Sequence, residues 1–172
     1  EIFRDPAAPV GGNPKGDVTL VEFFDYNCPY CRRVAPVMEE AEAGDPKLRI
    51  VYKEFPILGA NSKFAARAAL AAHRQGKYVA FHKAMMKAKG GATPSSVLAL
   101  AKEVGLDLER LKADMKDPEI EKAIERNLVL AQALRINGTP GFVVGEEIIR
   151  GATDLETLKG YIQKARAKPP KK

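Results

Sequence analysis

Two cysteines, Cys28 and Cys31, are the only ones in the chain of 172 residues, and they stand in the run DYNCPYCRRVAP (25–36). Two thiols separated by two residues suit three kinds of chemistry. A zinc half-site needs two further soft or imidazole ligands with their own spacing. The only histidines, His73 and His82, lie nine apart in helical sequence and bring no further cysteines. A purely structural bridge would close a loop of a few residues, where little chain entropy is gained. A redox pair needs a nucleophilic thiol at a helix start, where free N–H groups and the dipole favour a thiolate. It also needs a second thiol one turn on, able to attack a mixed disulfide and release the substrate. Position favours this third chemistry, because Pro29 suits the first turn of a helix and a strand-like run ends just before Cys28.

The elements that must hold the pair follow from apolar periodicity. DVTLVEFF (17–24) is a nearly continuous apolar run, the pattern of a strand buried on both faces. Behind the cysteines, Val34, Val37, Met38 and Ala41 share one helical face, and Gly44 ends it. LRIVYKEF (48–55) reads as a second strand. The stretch 61–135 reads as helices throughout. Asn61 or Ser62 caps the first, Val79, Phe81, Met85 and Met86 mark the second, and Thr93-Pro94, Asp107 and Asp117-Pro118 start the others. After NGTPG, the runs FVVG and EEIIRG read as a hairpin, and a last helix starts at Asp154. The Pro- and Gly-rich residues 1–16 read as a linker and 166–172 as a basic tail. An α/β core, 17–60 and 136–165, is thus interrupted by a helical insertion, 61–135.

VEFFDYNCPYCRRVAP resembles the active-site strand and helix of the thioredoxin superfamily, with Pro36 matching the proline that kinks that helix. Together with the long insertion, it is similar to bacterial DsbA-like proteins, and among them to the ScsC-type (suppressor of copper sensitivity) group. The resemblance runs from about residue 15 onwards. It implies an α/β thioredoxin fold with an inserted helical subdomain. CxxC alone is a weak signal; CPYC combined with the other elements is a strong one.

The resemblance also implies roles for particular residues. Cys28 is the nucleophile and Cys31 the buried resolving thiol. Glu22, which interrupts the apolar strand, matches an acid that accepts a proton from the buried cysteine. Lys53 matches the lysine that often accompanies that acid. Pro140 matches a cis-proline packed against the pair, and the backbone of Thr139 before it would pair with an extended substrate. Pro29 and Tyr30, between the cysteines, bear on redox poise. Asp25 would oppose a thiolate. His73 and His82 read as ordinary helix residues and Met85-Met86 as core, so no metal site is expected outside the thiols.

The net charge of +6 could suggest nucleic acid as a partner. Residues 159–172, however, carry six Lys or Arg and no acid, while the remainder carries 22 of each sign. A solvated end is the ordinary meaning of such a tail, so nucleic acid is not an expected partner. The expected activity is thiol–disulfide exchange on cysteine-containing proteins, as oxidase or isomerase, with no cofactor beyond the pair itself. The alternative is Cu(I) binding by the same two thiolates. The resemblance further implies a periplasmic location, a signal peptide absent from this chain, and a membrane redox partner. For an isomerase it implies a homo-oligomer built through an N-terminal segment not present here.

Overall fold

Residues 2–168 are described in the computed structural model. Strand β1 (Val10–Gly12) precedes β2 (Val18–Phe24), α1 (Pro29–Gly44) and β3 (Leu48–Glu54). Five helices follow: α2 (Ala60–Arg74), α3 (Tyr78–Lys87), α4 (Pro94–Glu103), α5 (Leu108–Asp114) and α6 (Pro118–Ala133). The hairpin β4 (Gly141–Val144) and β5 (Glu147–Arg150) leads into α7 (Leu155–Ala167). The strands form one sheet in the order β1-β3-β2-β4-β5. Only β2 and β3 are parallel; the other neighbours are antiparallel. This is the α/β thioredoxin arrangement with a helical insertion.

The central place of β2 explains its apolar run. Leu20 and Phe24 project into the larger core, shared with α1, α7 and the inserted helices. Val21 and Phe23 project to the other face, against Val51, Ala131 and Ile136. Successive strand residues alternate faces, so Glu22 lies on the side of Leu20 and Phe24.

Local signals set most helix starts. Thr93 closes a capping box with Ser96, and Asp107, Asp117 and Asp154 each accept from a backbone N–H of the first turn. The first inserted helix differs from expectation. It begins at Ala60 behind Gly59, whose φ of 106° suits glycine, and no side chain caps it. Ser62, expected as a cap, is buried inside the helix and donates to Asp25 instead.

Both chain ends also correct the reading. Residues 1–16 are not only a linker, since β1 pairs antiparallel with β3, Val10 opposite Val51. Ala8 is buried, and Ile2 and Phe3 pack on the smaller core. A three-residue edge strand needs backbone pairing rather than apolar periodicity, so composition did not reveal it. Its end requires glycine: Gly12 has φ 64°, and a Cβ there would stand 2.4 Å from the Leu48 carbonyl oxygen. At the other end α7 continues to Ala167, and Arg166 bridges Asp17 and Asp45, both at 2.9 Å. The tail expected from residue 166 therefore starts inside a helix, and its last part, 169–172, lies outside the described residues.

Candidate active site

Cys28 is the N-cap residue of α1, with Pro29 in the first turn. Its Sγ accepts a hydrogen bond from the Cys31 backbone N–H at 3.2 Å. Cys28 and Cys31 are buried, only 3% and 1% exposed respectively. Burial pushes the Cys31 thiol up from its ordinary value, and the neighbouring Cys28 and Glu22 add to that shift. The Cys28 thiol also donates to the Thr139 carbonyl oxygen at 3.4 Å.

Thr139 is held from several directions. The Thr139–Pro140 peptide bond is cis, and the Pro140 carbonyl accepts from the Gly151 N–H at 2.9 Å. The Arg150 guanidinium donates to the Leu134 and Arg135 carbonyls, each at 3.0 Å, closing the end of α6. Ile136 then packs over Gly141, where an added Cβ would stand 2.6 Å from its Cγ2.

The loop before Cys28 is fixed by Asp25. Its carboxylate accepts from Asn27 N (2.7 Å), Ser62 Oγ (2.7 Å), Ile57 N (2.9 Å) and Leu58 N (3.0 Å). Asp25 was expected to act on the thiolate by charge; its visible work is to tie β2, the segment after β3 and α2 together. Asn27 extends the tie, exchanging hydrogen bonds with the backbone of Ala92 ahead of α4. Ile57, Leu58 and Tyr30 are three of the four exposed large hydrophobic side chains among the described residues, and Tyr30 is 55% exposed.

Glu22 lies beneath the pair and is 3% exposed. Burial pushes its carboxyl up from an ordinary 4.5 to about 8. It lines a cleft of about 250 Å³ between α1 and α3, together with Cys31, Tyr52 and His82. Two ion pairs join the helices along this cleft, Lys83–Glu42 at 3.1 Å and Lys87–Glu39 at 3.0 Å.

Lys53 is not beside this acid. In the parallel register Glu22 lies opposite Tyr52 and Phe23 opposite Lys53. Lys53 therefore projects from the other face of the sheet, where it donates to Asp5 at 3.2 Å while only 2% exposed. Strand parity separates it from Glu22, so the expected pairing of the two is corrected.

A second buried acid, Glu54, escaped the sequence reading. It is bonded by the hydroxyls of Tyr26 (3.0 Å) and Tyr78, and Tyr26 also meets His82 Nδ1 at 2.9 Å. Burial drives Glu54 well above the usual carboxylate range, although the two phenols work against the shift. Burial also lowers His82 to about 3, so it is neutral across the physiological range. His82 stacks on Tyr78 with ring centroids 5.7 Å apart and is a core member rather than an ordinary helix residue. Polar residues in a strand (Glu54) and a helix (His82) near apolar neighbours were the available signal, but nothing local joins them. Met85 and Met86 are buried in the main core. Among the described residues, no group of three or more His, Cys, Asp and Glu side chains is arranged to hold a metal ion.

Residues 19–163 match the model of the DSBA-like thioredoxin domain. The chain superposes on a thioredoxin-like oxidoreductase from Silicibacter pomeroyi DSS-3 with a TM-score of 0.95. The two are 52% identical, over 97% of this chain and 96% of that one. The catalytic domain of Proteus mirabilis ScsC gives a TM-score of 0.88 at 30% identity, over 97% and 93% of the two chains. A probable disulfide bond formation protein D from Bacillus anthracis is 27% identical over 177 residues, covering 95% of this chain and 81% of that protein. The curated relatives matched first are named Na(+)/H(+) antiporters, and this chain spans 24–27% of their length.

Proposed function

The chain belongs to the DSBA-like thioredoxin family, and on that premise we propose that Cys28 and Cys31 are the working pair of a thiol–disulfide oxidoreductase acting on cysteine-containing proteins. The observation that carries this reading is the contact of Cys28 Sγ, at the N-terminus of α1, with the backbone carbonyl of Thr139. It brings the reacting sulfur to a backbone edge on which an extended substrate can lie.

In the oxidising direction a substrate thiolate attacks Cys28 Sγ of the Cys28–Cys31 disulfide, and Cys31 leaves as a thiolate. A second substrate thiolate then attacks the substrate sulfur of the mixed disulfide, so the substrate disulfide forms and Cys28 leaves as a thiolate. Two electrons pass from substrate to the pair, and no cofactor enters the balance. Burial makes the Cys31 thiolate costly, so it takes up a proton as it leaves. Glu22, protonated at neutral pH and lining the same cleft, is the donor, and it accepts the proton back when the pair is reoxidised. In the isomerising direction the Cys28 thiolate attacks a wrong substrate disulfide and is released after reshuffling. Tyr30, Ile57 and Leu58 supply exposed apolar surface around the pair for an unfolded substrate.

Disulfide formation is sustained in oxidising compartments, which supports a site of action outside the cytoplasm, as the family resemblance also implies. A membrane redox partner would restore the disulfide, and an isomerase would work as a homo-oligomer. The deciding experiment is equilibration of the pair across glutathione buffers, read by alkylation and mass. A midpoint well above roughly −270 mV marks a donor or shuffler of disulfides. No exchange, combined with tight stoichiometric Cu(I) binding, would replace this reading with the copper one.

A further inference from the structure

A shallow groove runs from Pro29 along the segment between α3 and α4, with Gly90 and Gly91 in its wall and Arg32, Lys87 and Lys89 lining it. No carboxylate lines it. Lys87 is answered by Glu39 at 3.0 Å. Arg32 is oriented by donating to the Tyr26 carbonyl at 2.8 Å and to the Ala88 carbonyl. Those neutral acceptors fix the guanidinium but leave its charge unbalanced. Arg33, the next residue, is exposed and stacks over the Tyr30 ring with its guanidinium carbon 4.9 Å from the centroid. Among the described residues, Arg32, Arg33 and Lys89 have no carboxylate within ion-pair distance, whereas Lys83 and Lys87 beside them do. Three cations without a paired carboxylate therefore sit beside the CPYC turn, while Ile57 and Leu58 make another edge of the site apolar.

We propose that this groove selects substrate segments carrying acidic side chains next to the reacting cysteine. The inference rests on the exchange reading above and names the substrate class of that site. Unbalanced surface cations raise the encounter rate of anionic partners, and a planar guanidinium held by two carbonyls keeps N–H groups free for a carboxylate. Such attraction is screened as salt is added, which separates it from apolar contact with Tyr30.

The test compares two dithiol peptides of one sequence, with either Asp or Lys beside the cysteines, as substrates of the oxidised protein. Uncharged dithiothreitol serves as the reference for each protein variant. The wild type should oxidise the Asp peptide with a kcat/KM about tenfold above the Lys peptide at low salt. The ratio should close towards one at about 1 M salt, where the screening length is roughly 3 Å. The double variant Arg33→Glu, Lys89→Glu should invert the preference. A wild type that does not discriminate, or a variant that keeps the wild-type ratio, overturns the inference and leaves the exchange reading standing. Failure to oxidise dithiothreitol as well would remove the exchange reading and the inference with it.

Discussion

The Sγ of Cys28 lies 3.4 Å from the carbonyl oxygen of Thr139, a residue 111 positions further along the chain. No local rule brings these two atoms together. They meet because β2 and β4 are antiparallel neighbours, so the loop entering β4 passes over the turn leaving β2.

From this contact follows a division of labour between the thiols. Cys28→Ser should abolish exchange. Cys31→Ser should keep the attack but lose the release, and accumulate a mixed disulfide between Cys28 and a substrate. Trapping on a model peptide, resolved by non-reducing electrophoresis and mass, checks it. A stable adduct through Cys31 in the Cys28→Ser protein would reverse the assignment.

Glu22 should make stability fall with rising pH. The unfolded chain releases this proton near 4.5 and the folded protein near 8. Between those values the folded state holds the extra proton. Each pH unit therefore costs up to about 1.4 kcal/mol, and the loss levels off above 8. Glu22→Gln has no such proton to lose. Its urea midpoint relative to wild type should rise steadily from pH 4.5 to 8, and a flat difference would refute the assignment.

His82 has the opposite sign. Its ring is held at about 3 when folded against an ordinary 6.5, so the unfolded state takes up the proton first as pH falls. Stability should decline from pH 6.5 towards 3, again by up to about 1.4 kcal/mol per unit. His82→Phe keeps an aromatic ring against Phe24, Tyr52 and Tyr78 and leaves Tyr26 its bond to Glu54. Thermal melts of the two proteins should converge as the pH is lowered through this window.

Asp5 and Lys53 should matter for stability alone. Asp5→Ala strands a buried ammonium and should cost about 2–3 kcal/mol, while adding Lys53→Met should recover most of it. The pH profile of exchange should be the same in all three proteins, because Lys53 and Glu22 occupy opposite faces of the sheet. A shifted profile in the double variant would restore Lys53 to the site.

Asp25→Ala removes the acceptor for four donors from three segments and should destabilise by about 3–5 kcal/mol. Hydrogen exchange should locate the loosening at residues 57–62 and at the CPYC turn. Loss confined to either one alone would contradict its role as their common anchor.

Much of this molecule was legible in one dimension. Cys28 as a helix N-cap follows from a strand run, a first-turn proline and an apolar stripe, all between residues 17 and 41. The starts at Thr93, Asp107, Asp117 and Asp154 follow from side chains that bond their own first turn. Such signals survive without tertiary structure because both partners are near neighbours in the chain. The face on which Lys53 points could not be read that way, since a strand's alternation has no sign until its register against β2 is known. The same holds for β1, whose three residues exist as a strand only through pairing with β3. Glu54, Tyr26 and the α3 pair Tyr78 and His82 come from three separate elements or loops, and only folding makes them one buried network. Local bonding identified the reactive pair and the elements beneath it. What surrounds the pair, and which charges it feels, was decided by packing between segments that the chain keeps far apart.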